Sequence, residues 1–331
     1  MKQYRAPSWL PGGHAQTIYG ALFAPRPRLE YRRTQWDTPD GDFIELDWVD
    51  GPAQAPLVVL FHGLEGGSRS HYALSLMHEV RARGWRGAVP HFRGCGGRPN
   101  RLPRAYHSGD FQEVHWILQR FAAQTGTAPR FAVGVSLGGN ALLKWLAAEG
   151  AAAACLLRAA AAVSAPVDLQ VAGHALARGF NRLYTWQFLR TLKLKSLEKL
   201  SRYPGLYDAR KVAHARDLYQ FDDLVTAPLH GFESADDYWT RASSKPELRG
   251  IELPTLVVHA RNDPFLPGGS LPRSDEVSPQ VRLEYTDAGG HAAFVSGPFP
   301  GRLDWLPKRL LEFFHSCLQA DAQRPARVSL G

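Results

Sequence analysis

From about residue 55 onward, short apolar runs alternate with stretches whose apolar positions recur every three or four residues. PLVVLFHG (56–63), WRGAVPHF (85–92), RFAVGVS (130–136), CLLRAAAAVSAP (155–166), PTLVVHARND (254–263) and VRLEYTDAGG (281–290) predict strands. Between them the spacing predicts helices near 70–84, from Ser108-Gly109-Asp110 to about Gln124, and from Leu137 to Glu149. Alternation of this kind is what βαβ units on a parallel sheet produce, so the chain reads as α/β. RFAVGV is apolar at almost every position, as expected of a strand with helices over both faces. Ahead of this rhythm, YRRTQWDTPDGDFIELDWVD predicts two antiparallel strands around Pro39-Asp40-Gly41-Asp42, where glycine supplies the positive φ of a tight turn. RLDWLPKRLLEFFHSCL (302–318) predicts an amphipathic closing helix with a proline near its start.

The rhythm is lost between Asp168 and about Pro254, where helical, aromatic and basic patterns such as NRLYTWQFLRTLKLKSLEKL take over. An insertion leaving one strand and returning to the next is placed to cover the end of the sheet. The expected organisation is therefore a mostly parallel sheet with helices on both faces, its core formed by residues 1–167 and 254–320. Residues 168–253 form a helical cap, and residues 321–331 a tail lacking periodicity.

With 44% hydrophobic and 21% charged residues in 331, the composition excludes a disordered chain. The net charge of +8 arises from 39 Lys and Arg against 31 Asp and Glu, scattered rather than gathered in a stripe with interleaved aromatics. A nucleic-acid partner is therefore not expected, while peripheral contact with an anionic surface remains compatible. Three widely spaced cysteines, Cys95, Cys155 and Cys317, suggest neither a disulfide framework nor a metal-binding pair, and favour a reducing compartment. The first residues lack an apolar signal core, and no run reaches the roughly 18 apolar residues of a membrane span. The expectation is a soluble, cytoplasmic protein; the oligomeric state is not set by the sequence.

The chemistry begins at Gly134-Val135-Ser136-Leu137-Gly138, a G-x-S-x-G set between an apolar strand and a helix. In that context Ser136 sits on a sharp turn that projects its hydroxyl from the sheet's carboxyl edge. A serine needs a base to take its proton, and the chain order expected of this arrangement is serine, acid, histidine. His291, in Gly289-Gly290-His291-Ala292 after the last predicted strand, meets that order, whereas His14, His62, His91 and His107 all precede the serine. The orienting acid should leave a strand end, and Asp263 does so in HARNDPF; Asp168 is the runner-up and Asp287 a weaker third. Backbone N–H groups must face the oxyanion of the intermediate. Leu137 supplies one at a helix N-terminus and Leu64 the other, from the loop His62-Gly63-Leu64-Glu65-Gly66-Gly67. His62 reads as a buttress of that loop. In Arg93-Gly94-Cys95-Gly96-Gly97, Cys95 lacks the strand-turn-helix setting of a nucleophile. Arg93, Arg98, Arg101 and Arg104 read as loop structure before contacts to an anionic substrate.

These stretches together resemble the YheT-type branch of α/β-hydrolases, related to abhydrolase-domain acylglycerol lipases. The matching motifs are WLPGGHAQT, HGLEGGSRSHY, HFRGCGGRPNRLPRAYHSGD, GVSLGGNALLKWL, AAAVSAPVDL, ARNDPFLP and GGHAAFV, in this order from residue 9 to about 295. The resemblance implies the α/β-hydrolase fold and carboxylic-ester hydrolysis, with catalytic serine, aspartate and histidine at Ser136, Asp263 and His291. No metal or organic cofactor is expected, and the partner is a small-molecule ester, lipid-like if the cap is as apolar as its sequence. The chain departs from the family pattern at Ala293, where glycine is usual before the phenylalanine, and at Phe111, where threonine is common; both put the pocket's shape in question. Thioesterase or amidase chemistry on the same scaffold, and a non-catalytic binding protein, are the competing readings.

Overall fold

The computed structural model describes residues 3–322. Eight strands among them form one sheet: β1 (Arg32–Asp37), β2 (Phe43–Val49), β3 (Leu57–Phe61), β4 (Arg86–Pro90), β5 (Arg130–Val135), β6 (Ala159–Val163), β7 (Thr255–Ala260) and β8 (Val281–Thr286). Their spatial order is β1-β2-β4-β3-β5-β6-β7-β8. β2 runs antiparallel to both β1 and β4, and every other neighbouring pair is parallel. The opening hairpin turns where the sequence predicts, with Gly41 at φ 83° and the Thr38 and Asp42 backbones hydrogen-bonded across the turn at 3.0 Å.

Alternation along β3 explains why the strand is apolar throughout. Leu57, Val59 and Phe61 join a buried cluster with Val114, Phe121 and Trp145, from α3 (Phe111–Thr125) and α4 (Leu137–Glu149). Val58 and Leu60 point the other way, into a cluster with Met77 of α2 (His71–Ala82) and Leu310 and Phe314 of the closing helix. The central strands thus have a core on each face, while the edge strands β1 and β8 keep residues in solvent.

Between β6 and β7 the chain is helical: α5 (Leu169–Leu176), α6 (Arg182–Arg202), α7 (Ala209–His214), α8 (Leu218–Phe221), a π-helical turn over Asp222–Thr226, α9 (Ala227–His230) and α10 (Ala235–Ala242). These helices carry small clusters of their own, one around Leu189, Val212, Phe221 and Val225, another around Leu169, Tyr238 and Trp239. The closing helix, α11 (Trp305–Ala322), reaches the end of the described residues, and the remainder of the expected tail lies outside them.

One element was not announced by periodicity. Gly13–Leu22 form α1, with a buried polar side of Gln16 and Thr17 instead of an apolar stripe. A Cβ on Gly13 would lie 1.9 Å from the Asn262 carbonyl oxygen, and one on Gly20 would lie 2.6 Å from the Ala293 Cβ. The helix therefore lies directly against the two loops that follow β7 and β8.

Candidate active site

Ser136 stands between β5 and α4 at φ 54°, a conformation a side chain adopts only when its surroundings impose it. They do so here. Its N–H donates to the Val163 carbonyl at 2.9 Å, and its carbonyl accepts from the N–H groups of Gly139 and Asn140. A Cβ on Gly134 would approach the Gly138 carbonyl oxygen to 2.4 Å, and one on Gly138 would approach that of Phe61 to 2.4 Å. Both glycines of the motif are thus required by close backbone approach, and the strained turn is what aims the hydroxyl outward.

The structure brings Ser136, His291 and Asp263 together from three separate sheet connections. The Ser136 hydroxyl donates to His291 Nε2 at 2.9 Å, and His291 Nδ1–H donates to Asp263 Oδ2 at 2.9 Å, the tautomer being the one these partners require. Asp263 is buried; its other oxygen accepts the Phe265 N–H at 2.8 Å. Burial works against its charge, but His291, through charge and hydrogen bond, and the Phe265 N–H together hold the carboxyl below its ordinary value. His259 Nε2 lies 3.3 Å from Asp263 Oδ2 but off hydrogen-bond geometry. Burial depresses its pKa to about 4, so it adds no positive charge near neutral pH.

The support around His291 was the part sequence reasoning missed. The His291 N–H donates to Thr17 Oγ1 at 2.8 Å, and Thr17 in turn donates to the Gly13 carbonyl at 2.7 Å. Gln16 Oε1 accepts both from the Gly289 N–H and from Asn262 Nδ2, tying the histidine loop to the aspartate loop. On the other side the Ala292 N–H donates to Ser164 Oγ at 3.0 Å, and His71 Nε2–H donates to the Ala292 carbonyl at 3.0 Å. Phe265 stacks on the imidazole with centroids 4.0 Å apart. The signal was present in the glutamine and threonine of HAQT near the start of the chain, but their loop partners lie more than 240 residues away.

The two backbone donors predicted from sequence line the same cavity as Ser136 and His291. Leu137 opens α4. On the other loop, the N–H groups flanking Leu64 are already taken: Gly63 donates to the Tyr72 hydroxyl at 2.9 Å and Glu65 to that of Tyr106 at 2.8 Å. Leu64 is left between two anchored neighbours. His62 is wholly buried, with Nδ1–H donating to the Gly63 carbonyl and Nε2 accepting the Phe92 N–H; burial lowers its pKa to about 3, consistent with a neutral buttress.

The remaining candidates fall outside the constellation. Asp168 caps α5, accepting the Val171 N–H at 3.1 Å, and Asp287 is exposed. His14 meets Tyr184 at 3.2 Å, and His91 pairs with Asp47 at 3.0 Å. Burial pushes the Cys95 thiol up to about 12, which leaves it un-ionised at neutral pH. Arg93 holds Asp40, Asp42 and Glu113, while Arg98, Arg101 and Arg104 reach Glu45, Asp37 and Asp110. All four arginines are paired with carboxylates, and Arg93 and Arg98 also line the cavity. Neither Ala293 nor Phe111 lines the cavity, and Ala293 is accommodated because its Cβ faces Gly20 of α1.

Above Ser136 the cavity holds about 350 Å³. Its far wall is built by the helical segment, chiefly Leu176, Phe188, Leu192, Phe221, Val225 and Trp239. Asp222 is also in that wall, accepting from Thr226 Oγ1 and Trp239 Nε1; burial raises its pKa to about 6.

A mostly parallel eight-stranded sheet bearing a strained serine at a strand-to-helix turn defines the α/β-hydrolase fold. The comparisons agree. The family described as alpha/beta hydrolase fold matches residues 56–298. "Putative esterase YheT" of Escherichia coli (strain K12) is 39% identical over 93% of this chain and 91% of its own length. Phospholipase ABHD3 of Homo sapiens is 28% identical over 94% of this chain and 78% of its own length. Among solved structures, the Pyrococcus furiosus esterase Pf2001 superposes with a TM-score of 0.56 at 15% identity, covering 89% of this chain and 98% of that one. The chain belongs to the α/β-hydrolase family, in its YheT-type branch.

Proposed function

We propose that this protein is a carboxylic-ester hydrolase that works by two-step acyl transfer through Ser136, His291 and Asp263. The observation that carries the reading is the unbroken chain from hydroxyl to imidazole to buried carboxylate, two contacts of 2.9 Å each, opening into an apolar cavity. The esterase and phospholipase names of its relatives support the reaction class.

In the first step His291 Nε2 takes the proton as Ser136 Oγ attacks the ester carbonyl. Asp263 holds the imidazole tautomer and stabilises the imidazolium that forms. The N–H groups of Leu64 and Leu137 receive the developing oxyanion. His291 then protonates the departing alcohol, and a water activated by the same nitrogen releases the acid. Residues 168–253 act as a cap, and their apolar wall favours a medium-chain or lipid-like acyl group over an acetyl group.

The test is labelling by a fluorophosphonate probe, which needs a serine activated by a base, followed by a panel of esters of increasing acyl length. Rapid labelling that disappears in Ser136→Ala, with hydrolysis falling about 10³-fold or more, is expected. Folded protein that takes up no probe, or a Ser136→Ala variant that is still labelled, would remove this reading. A strong preference for acetyl esters would remove the acyl-chain assignment alone.

A further inference from the structure

The outer surface of the helical segment carries a feature that ester hydrolysis does not use. α6 is 21 residues long, about 30 Å, and has two working faces. Phe188, Leu192 and Lys195 turn inward to the cavity. Leu183, Trp186, Arg190 and Leu194 recur at steps of three and four and turn outward, with Trp186 57% and Leu194 65% exposed. An exposed Phe180 precedes the helix.

The other large exposed apolar side chains of the described residues are Leu22, Phe23 and Phe299. They belong to a neighbouring aromatic surface that α1 joins to α6. Phe299 meets Trp9, Trp9 meets Tyr19, and Tyr19 meets Phe23, with centroids 5.0–6.0 Å apart. At the other end of α1, His14 meets Phe180 edge-on at 4.7 Å and stacks on Tyr184 at 5.9 Å.

The segments that carry these side chains are rich in cations, with the carboxylates Glu30, Asp168, Glu198, Asp287 and Asp304 only at their ends. Residues 3–29 contain no Asp or Glu but do contain Arg5, Arg26 and Arg28. Residues 169–197 likewise contain none, against Arg178, Arg182, Arg190 and Lys193, with Lys195 turned inward to Glu65. Residues 288–303 contain only Arg302. Arg178, Arg182 and Arg190 are exposed, and among the described residues none of them is paired with a carboxylate; Arg190 lies over the Trp186 ring at 5.6 Å.

Large apolar groups flanked by exposed arginines without carboxylate partners fit an interface that is apolar below and anionic at its surface. A second copy laid on this face would set the arginines against one another, and a nucleic acid would leave the leucines in water. We propose that the outer face of α6, with the end of α1 and the Phe299 loop, docks the protein on an anionic lipid bilayer, placing the cap between the lipid and Ser136. The docking stands independently of the hydrolytic reading, because it is read by binding alone.

The test is co-sedimentation of the full chain with vesicles of phosphatidylglycerol mixed into phosphatidylcholine, against vesicles of phosphatidylcholine only. Binding to the mixed vesicles that weakens with added salt is expected. Leu183→Ser/Trp186→Ser/Leu194→Ser should weaken it at least about tenfold, and Arg182→Gln/Arg190→Gln at least about fivefold. These residues do not line the cavity, so the variants should keep the circular dichroism and the fluorophosphonate labelling of the parent protein. Absence of binding, equal binding to both vesicle types, or binding untouched by these substitutions would overturn the proposal. So would self-association of the free protein abolished by the same apolar substitutions, since a second copy would then be what covers the face.

Discussion

The carboxyl edge of the sheet and the helical segment above it solve different problems. At the edge, polar groups are committed to named partners and backbones touch: Gly134 against Gly138, Gly13 against Asn262, Thr17 under His291, His71 and Ser164 on either side of Ala292. In the helical segment the inner wall is mostly apolar, a buried carboxyl is kept only by Thr226 and Trp239, and the outer face leaves leucines, a tryptophan and arginines in solvent. The proton transfer proposed over 2.9 Å would tolerate little displacement, and the edge is correspondingly over-determined. A wall proposed to meet an acyl chain needs area and shape, and many side chains supply them.

The comparison predicts that small polar changes at the edge outweigh larger apolar changes in the segment. The largest effect is expected of Asp263→Asn, which keeps shape but reverses the tautomer preference of His291. Hydrolysis should fall about 10⁴-fold in kcat, with KM little changed. Steady-state kinetics with an intact thermal unfolding transition would read it; a loss under about tenfold would mean that Asp263 does not orient the base. Next comes Thr17→Val, isosteric but without the hydroxyl that accepts from the His291 N–H. An orphaned buried donor costs about 1–3 kcal/mol, which translates to kcat lower by about fivefold to a hundredfold. An unchanged kcat would show that α1 merely packs against the site.

How much of this was legible depended on the range of the signal. Ser136, His291 and Asp263 each sit in a local pattern that states its own setting, a strand end followed by glycine or proline, and chain order selected among the histidines. The strands and the flanking helices α2, α3 and α4 were likewise local patterns, and α4 begins and ends where its periodicity does. α1 was missed because it is held by Gln16 and Thr17 hydrogen bonds to loops over 240 residues away, so no apolar stripe marks it. The arginines after β4 were ambiguous for a similar reason: the acids that occupy them lie mainly in the first hairpin and in α3. In the insertion, the pattern could announce helices but not which face looks inward, since α6 carries leucines, aromatics and cations on both.

Asp222 offers a test on the other side of the comparison. Burial raises its pKa from 3.8 to about 6, so between those values the folded protein holds a proton that the unfolded chain has lost. A raised acid pKa therefore contributes stability below that window and loses it as pH rises through about 6. Asp222→Asn, which cannot ionise, should gain on the parent protein across this window by at most about 3 kcal/mol. Urea unfolding of both proteins at pH 5 and pH 8 measures the difference; a constant gap would show that the carboxyl ionises freely in the folded state.

The smallest effect should come from filling the cavity. Leu176 lines it from α5 and is 8% exposed, so Leu176→Trp extends a side chain into space that an acyl chain would use. Methylene-sized differences in an apolar pocket discriminate by about 1–3 kcal/mol at best. A wall of small helices with its own loose clusters can also shift to absorb part of the insertion. The expected outcome is a modest change of selectivity, about tenfold in the ratio of kcat/KM for a long-chain ester to that for an acetyl ester, with labelling of Ser136 unchanged. If acetyl hydrolysis fell just as far, the substitution would have reached the edge through Phe265, which meets Tyr184 and Phe188 of α6 on one side and His291 on the other, and the two regions would be mechanically coupled.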